Sequence, residues 1–236
     1  MRRLCLDVCL RLRRQLVFGC LLLLIPFVVS CSPSPRASVS TGCTDAQAAC
    51  LQGKAIVEMT TTRGALTIEI DGDAAPLTAG NFADLVGRGT YDGTMFHRVV
   101  REPVPFVVQG GDPRSKDRSV PLNQLGSGSF VDPASGQARM IPLEIGFKGE
   151  ASPRYGRISA NPAELDQLKL SHERGAVAMA RSQDPDSASA QFYIALRPLP
   201  ELDGRYAVFG RVTQGLEVVD GIQQGDRIIK ASMKSS

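Results

Sequence analysis

The stretch "AIVEMTTTRGALTIEI" at residues 55–70 restricts the fold more than any other part of the chain. Apolar and polar side chains alternate there on both sides of a Thr-Arg-Gly turn. Val57 and Met59 fall on one face and Ile56, Glu58 and Thr60 on the other, and beyond the turn Leu66, Ile68 and Ile70 alternate with Thr67 and Glu69. A period of two on either side of a short turn is the pattern of a β-hairpin. Further short strands are expected at Met95–Val100 and at Phe106–Gln109, the second running into a turn at Gly110–Pro113. Ile141–Ile145 and Ala176–Ala180 read as a further pair, followed by "QFYIAL" (191–196), "YAVFGRV" (206–212) and a last strand in "RIIKAS" (227–232).

Helical periodicity occurs in two well-separated places. Pro76 can open a first turn, with Leu77, Phe82, Leu85 and Val86 as an apolar stripe that ends near Gly87 and Gly89, and Gly215–Ile222 sets Leu216, Val219 and Ile222 on one side. Many short strands with two distant helices argue for a mostly β fold, a closed, mostly antiparallel barrel, over a βαβ architecture. Residues 114–172 carry the least signal, with loops at "GSGSFVDPASGQ" and "KGEASPRYGRISANPAE" and a helical turn expected at Ala163–Leu168.

Ahead of this domain, residues 1–30 join Arg2, Arg3, Arg11, Arg13 and Arg14 to an apolar run from Leu16 to Val29. The run is short for a bilayer span and suits an export signal, and Pro26 fits a retained membrane helix less well than a cleaved segment. It ends in Val28-Val29-Ser30-Cys31, which looks like the lipobox of a bacterial lipoprotein, so residues 1–30 are expected to be the signal peptide and Cys31 the lipidated N-terminus. A plain cleaved signal and a retained anchor are the alternatives. The expected location is the extracytoplasmic side of a membrane, held by an N-terminal lipid.

Removal of the signal also changes the charge. The full chain has 27 basic and 24 acidic residues; residues 1–30 hold five arginines and one aspartate, which leaves 22 against 23. No basic block with interleaved aromatics remains, so a nucleic-acid partner is not expected. Of the six cysteines only Cys43 and Cys50 lie between Cys31 and the domain; in an exported protein they can close a local disulfide or stay as thiols, and with His97 and His172 far away they lack the spacing of a zinc site. Residues 31–53 read as a flexible tether, 54–232 as one domain and 233–236 as a tail. No metal or cofactor is expected, and a monomer is.

The blocks "FHRVV" and "PFVVQGGDP", "RGAVAMARS", "SASAQFYIAL" and "LDGRYAVFGRV" together resemble the cyclophilin family of peptidyl-prolyl cis/trans isomerases, over about residues 55–230. The resemblance implies eight antiparallel strands closed into a barrel and capped by two helices. It also implies rotation of X-Pro bonds, and with the export signal the expected substrates are exported or membrane-associated proteins, in aid of their folding. Carried over by motif, the catalytic residue is Arg98. The substrate-binding set is Phe106 and Val107 as pocket wall, Gln109, Ala180 and Arg181 toward the peptide backbone, Gln191 as a second polar contact, Tyr193 as the pocket ring, and Leu202 and Tyr206 at the mouth.

Physical chemistry supports this set of roles. Twisting a prolyl amide costs about 20 kcal/mol because its double-bond character is lost, and the nitrogen regains a lone pair that a fixed guanidinium can bind more tightly than it binds the planar amide. No nucleophile is required. Strand parity agrees, since Val107 and Gln109 share one face, as do Gln191 and Tyr193, leaving Val108 and Phe192 for the core. His97 should point away from Arg98 and serve structure, and Asp112 should cap backbone amides. Departures from the family are an insertion in "REPVP", Val107 for methionine, Arg181 for asparagine, and Glu201 where cyclosporin-binding members carry tryptophan. A binding protein without turnover is the alternative, and a hydrolase lacks its motifs in this chain.

Overall fold

A computed structural model describes residues 42–44, 48 and 50–234. The export signal, Cys31 and most of the expected tether lie outside these residues. The hairpin forms as its alternation requires: β1 (Lys54–Thr61) pairs antiparallel with β2 (Gly64–Asp71), Val57 opposite Ile68 and Met59 opposite Leu66, all four fully buried or nearly so. Helix α1 (Pro76–Gly87) follows, with proline in its first turn and Leu77, Phe82, Leu85 and Val86 buried. Ala75 cannot cap it with a side chain, and a distant carboxylate does so instead: Leu77 and Thr78 N–H donate to Glu144 at 3.0 and 2.7 Å. A carboxylate is suited to that end of a helix because amides without a partner in the helix and the positive dipole end lie there.

The next hairpin carries the site. β3 (Arg98–Val100) pairs with β4 (Val107–Gly110), placing Arg98 opposite Gln109. The segment "REPVP" forms the connection, closed by Phe106 N–H donating to Val100 O at 2.9 Å. Expected strand residues Met95–His97 are not part of β3, because the Met95 amide is taken by Ser115 Oγ at 2.8 Å. Past the turn, Gly111 has φ +82°, and a Cβ there would lie 2.8 Å from Ala190 O, so a side chain is disfavoured by both conformation and space. Asp112 caps as expected and reaches further: its carboxylate accepts from the amides of Arg114, Gly126 and Gly128 at 2.9, 2.7 and 3.1 Å.

β5 (Glu144–Ile145) pairs with β6 (Arg154–Tyr155), which corrects the expected pairing of 141–145 with 176–180. The one-turn helix α2 (Pro162–Leu165) comes next. β7 (Ala176–Met179) lies between β8 (Phe192–Ala195) and β9 (Val208–Gln214). Both edges of β7 are thereby filled, and Ile141 is left with a single bridge to Ala188. Helix α3 (Leu216–Gly221) and β10 (Ile228–Met233) complete the chain.

The eight-stranded sheet has the order β10-β1-β2-β9-β7-β8-β4-β3 and is open, which corrects the closed barrel expected from the sequence. Its edges approach only at the bridge between Met95 and Arg227, with Phe96 N–H donating to Asp226 O and Ile228 N–H to Thr94 O. A ladder does not propagate from there, because β3 is only three residues long and Arg101 turns aside to bond the carbonyls of Val219 and Ile222 at the end of α3. One sheet face holds the main core, where Phe82 packs its ring 4.9 Å from Tyr91 and Phe209 and 5.4 Å from Phe192. A second apolar cluster, with Val107, Ala178, Tyr193 and Val208, receives Phe106, Leu202 and Tyr206.

Before β1, Cys43 and Cys50 are joined in a disulfide, Ala48 is buried, and Leu51 N–H donates to Pro76 O. These residues, assigned to the tether by composition, therefore lie against the domain, since the disulfide and two apolar side chains give them something to bury. No helix among the described residues is long and apolar enough to cross a membrane.

Candidate active site

The second apolar cluster opens into a cavity of about 230 Å³ lined by Arg98, Phe106, Val107, Gln109, Ala180, Arg181, Tyr193, Leu202 and Tyr206. β4 and β8 create it by simple alternation. Their residues Val108 and Phe192 enter the main core, so Val107, Gln109 and Tyr193 emerge on the other face. Leu202 arrives on a 3-10 turn over Pro200–Leu202, and Tyr206 stands edge-on to Tyr193 with ring centroids 5.8 Å apart.

Arg98 is exposed at the rim. Its Nη1 donates to Gln109 Oε1 at 3.3 Å, the cross-strand neighbour that the register provides, and its guanidinium carbon is 5.8 Å from the Phe106 ring centre. Gln109 Nε2 in turn donates to Gln191 Oε1 at 3.3 Å, and Gln191 Nε2 to Gly128 O at 2.8 Å. This chain of amides fixes one edge of the arginine fork, and its other donors have no partner among the described residues. Gln191 is the one expected substrate-binding residue outside the cavity; it is buried behind Gln109 and borders a neighbouring hollow of about 300 Å³ with Gly128, Met140 and Arg181. Gly128 is required at that junction because a Cβ would collide with the Asp112 carboxylate.

Arg181 lines the cavity, and its side-chain donors are taken within the protein. Its Nε and Nη2 donate to Arg205 O at 3.0 and 2.6 Å, its Nη1 to Ser182 O at 2.8 Å, and its carbon lies 4.7 Å over the Tyr206 ring. It clamps the segment that carries Leu202 and Tyr206. Glu201, on the turn that carries Leu202 but not itself lining the cavity, pairs with Arg197 at 2.7 Å; its own backbone amide and then Arg197 hold its carboxyl below the ordinary range, so it stays ionised.

His97 is buried on the opposite face from Arg98, with neither ring nitrogen partnered among the described residues, and burial lowers its pKa. Among the described residues no three His, Cys, Asp or Glu side chains gather as metal ligands. Sequence reasoning did not single out His172 and Asp203, which stand behind the cavity, His172 bonded to Tyr193 and Asp203 to His172; they are 31 residues apart and in no shared motif.

A family model described as cyclophilin type peptidyl-prolyl cis-trans isomerase/CLD matches residues 56–234. The chain is 40% identical over 195 residues to a putative thylakoid lumen peptidyl-prolyl cis-trans isomerase of Synechocystis sp., covering 78% of this chain and 48% of that protein. It is 37% identical over 177 residues to a chloroplastic peptidyl-prolyl cis-trans isomerase of Arabidopsis thaliana, covering 68% and 36%. It thus spans half or less of these two relatives. Peptidyl-prolyl cis-trans isomerase-like 1 of Neurospora crassa is 32% identical over 163 residues, 69% of this chain and 77% of that protein. The fold is similar to the crystal structure of a cyclophilin type isomerase from Cryptosporidium parvum, with TM-score 0.55, 22% identity and coverage of 78% and 99%. The same protein solved in the presence of the dipeptide Ala-Pro gives a TM-score of 0.54 at 23% identity, over 77% and 99%.

Proposed function

The chain belongs to the cyclophilin type peptidyl-prolyl cis-trans isomerase family, and we propose that it speeds rotation about X-Pro bonds by binding the twisted amide more tightly than the planar one. The observation that carries this reading is the meeting of an arginine, held on one side only, with an apolar cavity of about 230 Å³. In outline, the proline ring sits against Phe106, Val107, Tyr193 and Leu202. As the amide twists, the nitrogen lone pair emerges and Arg98 donates to it. The apolar wall keeps water from that bond, which strengthens it. Binding in the ground state is left to the apolar wall and to Gln109, so the arginine contributes chiefly to kcat.

Proline-containing peptides and unfolded exported proteins are the proposed substrates, acted on by a monomer in aid of their folding. We further propose that Cys31 carries a lipid and that the protein works on the extracytoplasmic side of a membrane. The apolar run that ends at Cys31 supports this, as does the likeness to a putative thylakoid lumen relative. Palmitate labelling of the wild type, absent in Cys31→Ser, is the expected result; equal labelling of both removes the lipid anchor. The activity is tested by NMR exchange spectroscopy on an Ala-Pro peptide, without a coupling protease. Exchange at the uncatalysed rate in the presence of peptide binding would leave only a proline-binding protein.

A further inference from the structure

Tyr193 forms one wall of the proposed proline cavity, yet its hydroxyl points out of it, into the protein. It lies 2.8 Å from His172 Nε2, and the two rings stack with an interplanar angle of 12° and centroids 5.9 Å apart. On the far side of the imidazole, Nδ1 is 2.7 Å from Asp203 Oδ1, which also accepts the His172 backbone N–H at 2.8 Å. The His172 carbonyl accepts from Leu199 N–H at 2.8 Å. The His172 side chain is fully buried.

Hydrogen-bond chemistry fixes the direction of this relay. An ionised carboxylate only accepts, so Nδ1 carries the hydrogen. Burial pushes the Tyr193 hydroxyl far above its ordinary range, so it remains protonated and needs an acceptor. Among the described residues Nε2 is the only one within reach. The neutral imidazole with hydrogen on Nδ1 satisfies every group: Tyr193 O–H donates to Nε2, and Nδ1–H donates to Asp203.

Asp203 adds a mechanical link, because it directly follows the 3-10 turn over Pro200–Leu202 and precedes Tyr206 by three residues. We propose, on the reading that this cavity holds proline, that His172 and Asp203 are positioning residues that lock the Tyr193 ring to the segment bearing Leu202 and Tyr206, so that wall and mouth keep one spacing. Neither residue touches substrate. Their effect is on how well the ring is held, in ground and transition states alike, and so falls on KM.

Asparagine and glutamine at position 172 separate this role from general packing. An asparagine amide overlays Nδ1, keeping the Asp203 bond and losing Tyr193; a glutamine oxygen reaches the position of Nε2. His172→Asn is expected to raise KM for an Ala-Pro peptide about ten-fold, the worth of one buried hydrogen bond, with kcat changed less than about three-fold. His172→Gln should restore KM to within about three-fold of wild type. Tyr193→Phe should raise KM by a similar factor to His172→Asn, and the double variant should be no worse than Tyr193→Phe alone. Nitrogen-15 shifts of His172 in wild type should show Nδ1 protonated and Nε2 bare.

An unchanged KM in folded His172→Asn, equal impairment by asparagine and glutamine, multiplied losses in the double variant, or a proton on Nε2 would each overturn the relay. If the wild type binds the peptide without turning it over, the isomerase reading falls while dissociation constants, compared across the same variants, still decide the relay. If it does not bind at all, both fall.

Discussion

Replacing Arg98 with glutamine separates catalysis from folding. In the structure the side chain is exposed and has two weak anchors, a 3.3 Å bond to Gln109 and a ring contact at 5.8 Å to Phe106. Each is worth at most about 1 kcal/mol, so stability should change by no more than about 2 kcal/mol. The twisted prolyl nitrogen presents a different case. A charge-assisted bond to it contributes about 1.5–3 kcal/mol even when partly wet, and more where Phe106, Val107 and Tyr193 exclude water. A loss of about 3 kcal/mol lowers kcat/KM by roughly 10²-fold. Peptide affinity should hold within about three-fold, because the apolar wall is untouched. Arg98→Lys should fall between wild type and Arg98→Gln, since it keeps the charge and loses the fork that can bond Gln109 and substrate together. The measurement is exchange spectroscopy at saturating and limiting peptide, with circular dichroism and melting on the same samples. Full activity in Arg98→Gln refutes the reasoning, and so does a loss matched by a fall in the melting temperature.

Glu144→Gln removes the charge that caps α1 and should cost about 2 kcal/mol, seen as a melting temperature lower by about 5 °C; an unchanged melt means the cap contributes nothing. Burial lowers the pKa of His97 from its ordinary 6.5, so the unfolded chain takes up the proton first. Its contribution to stability is complete above pH 6.5 and is lost as pH falls from there toward the folded value. The stability read from urea unfolding should therefore fall further between pH 7.5 and 5 in wild type than in His97→Gln, and parallel curves of stability against pH would refute this. Glu201 sets a carboxylate and its Arg197 partner next to Leu202 where a large apolar ring would extend the wall, so cyclosporin should bind weakly and Glu201→Trp should tighten it; nanomolar affinity of the unaltered domain, measured by calorimetry, would contradict this.

Local patterns carried the parts of the fold that local chemistry decides. The first hairpin, α1 and the outward face of β4 follow from alternation and helical spacing at Val57, Met59, Leu77 and Val107. The residues of the cavity were legible as motifs, all but Gln191 lining it. What was hidden depends on which strand edge is free. Residues 141–145 have strand-like character, but β7 has no edge left for them, and no pattern within five residues reveals that. Openness of the sheet turns on Ser115 and Arg101 diverting backbone groups, contacts made across 20 and about 120 residues. His172 and Asp203 escaped notice for the same reason, since their meaning comes from a tyrosine on a strand apart from both in sequence.

The division of β4 between two apolar clusters has a consequence for how this protein can vary. Val107 serves the cavity and Val108 the core, and on β8 Tyr193 and Phe192 divide in the same way. Substitution at either parity therefore changes one function and spares the other. Insertion or deletion of a single residue within these strands would exchange the two sets, turning Gln109 inward and Val108 outward. Length changes near the cavity are thus tolerable only where no register exists to be lost. The connection at residues 101–105 lies in such a place, directly beside the arginine that it leaves in position.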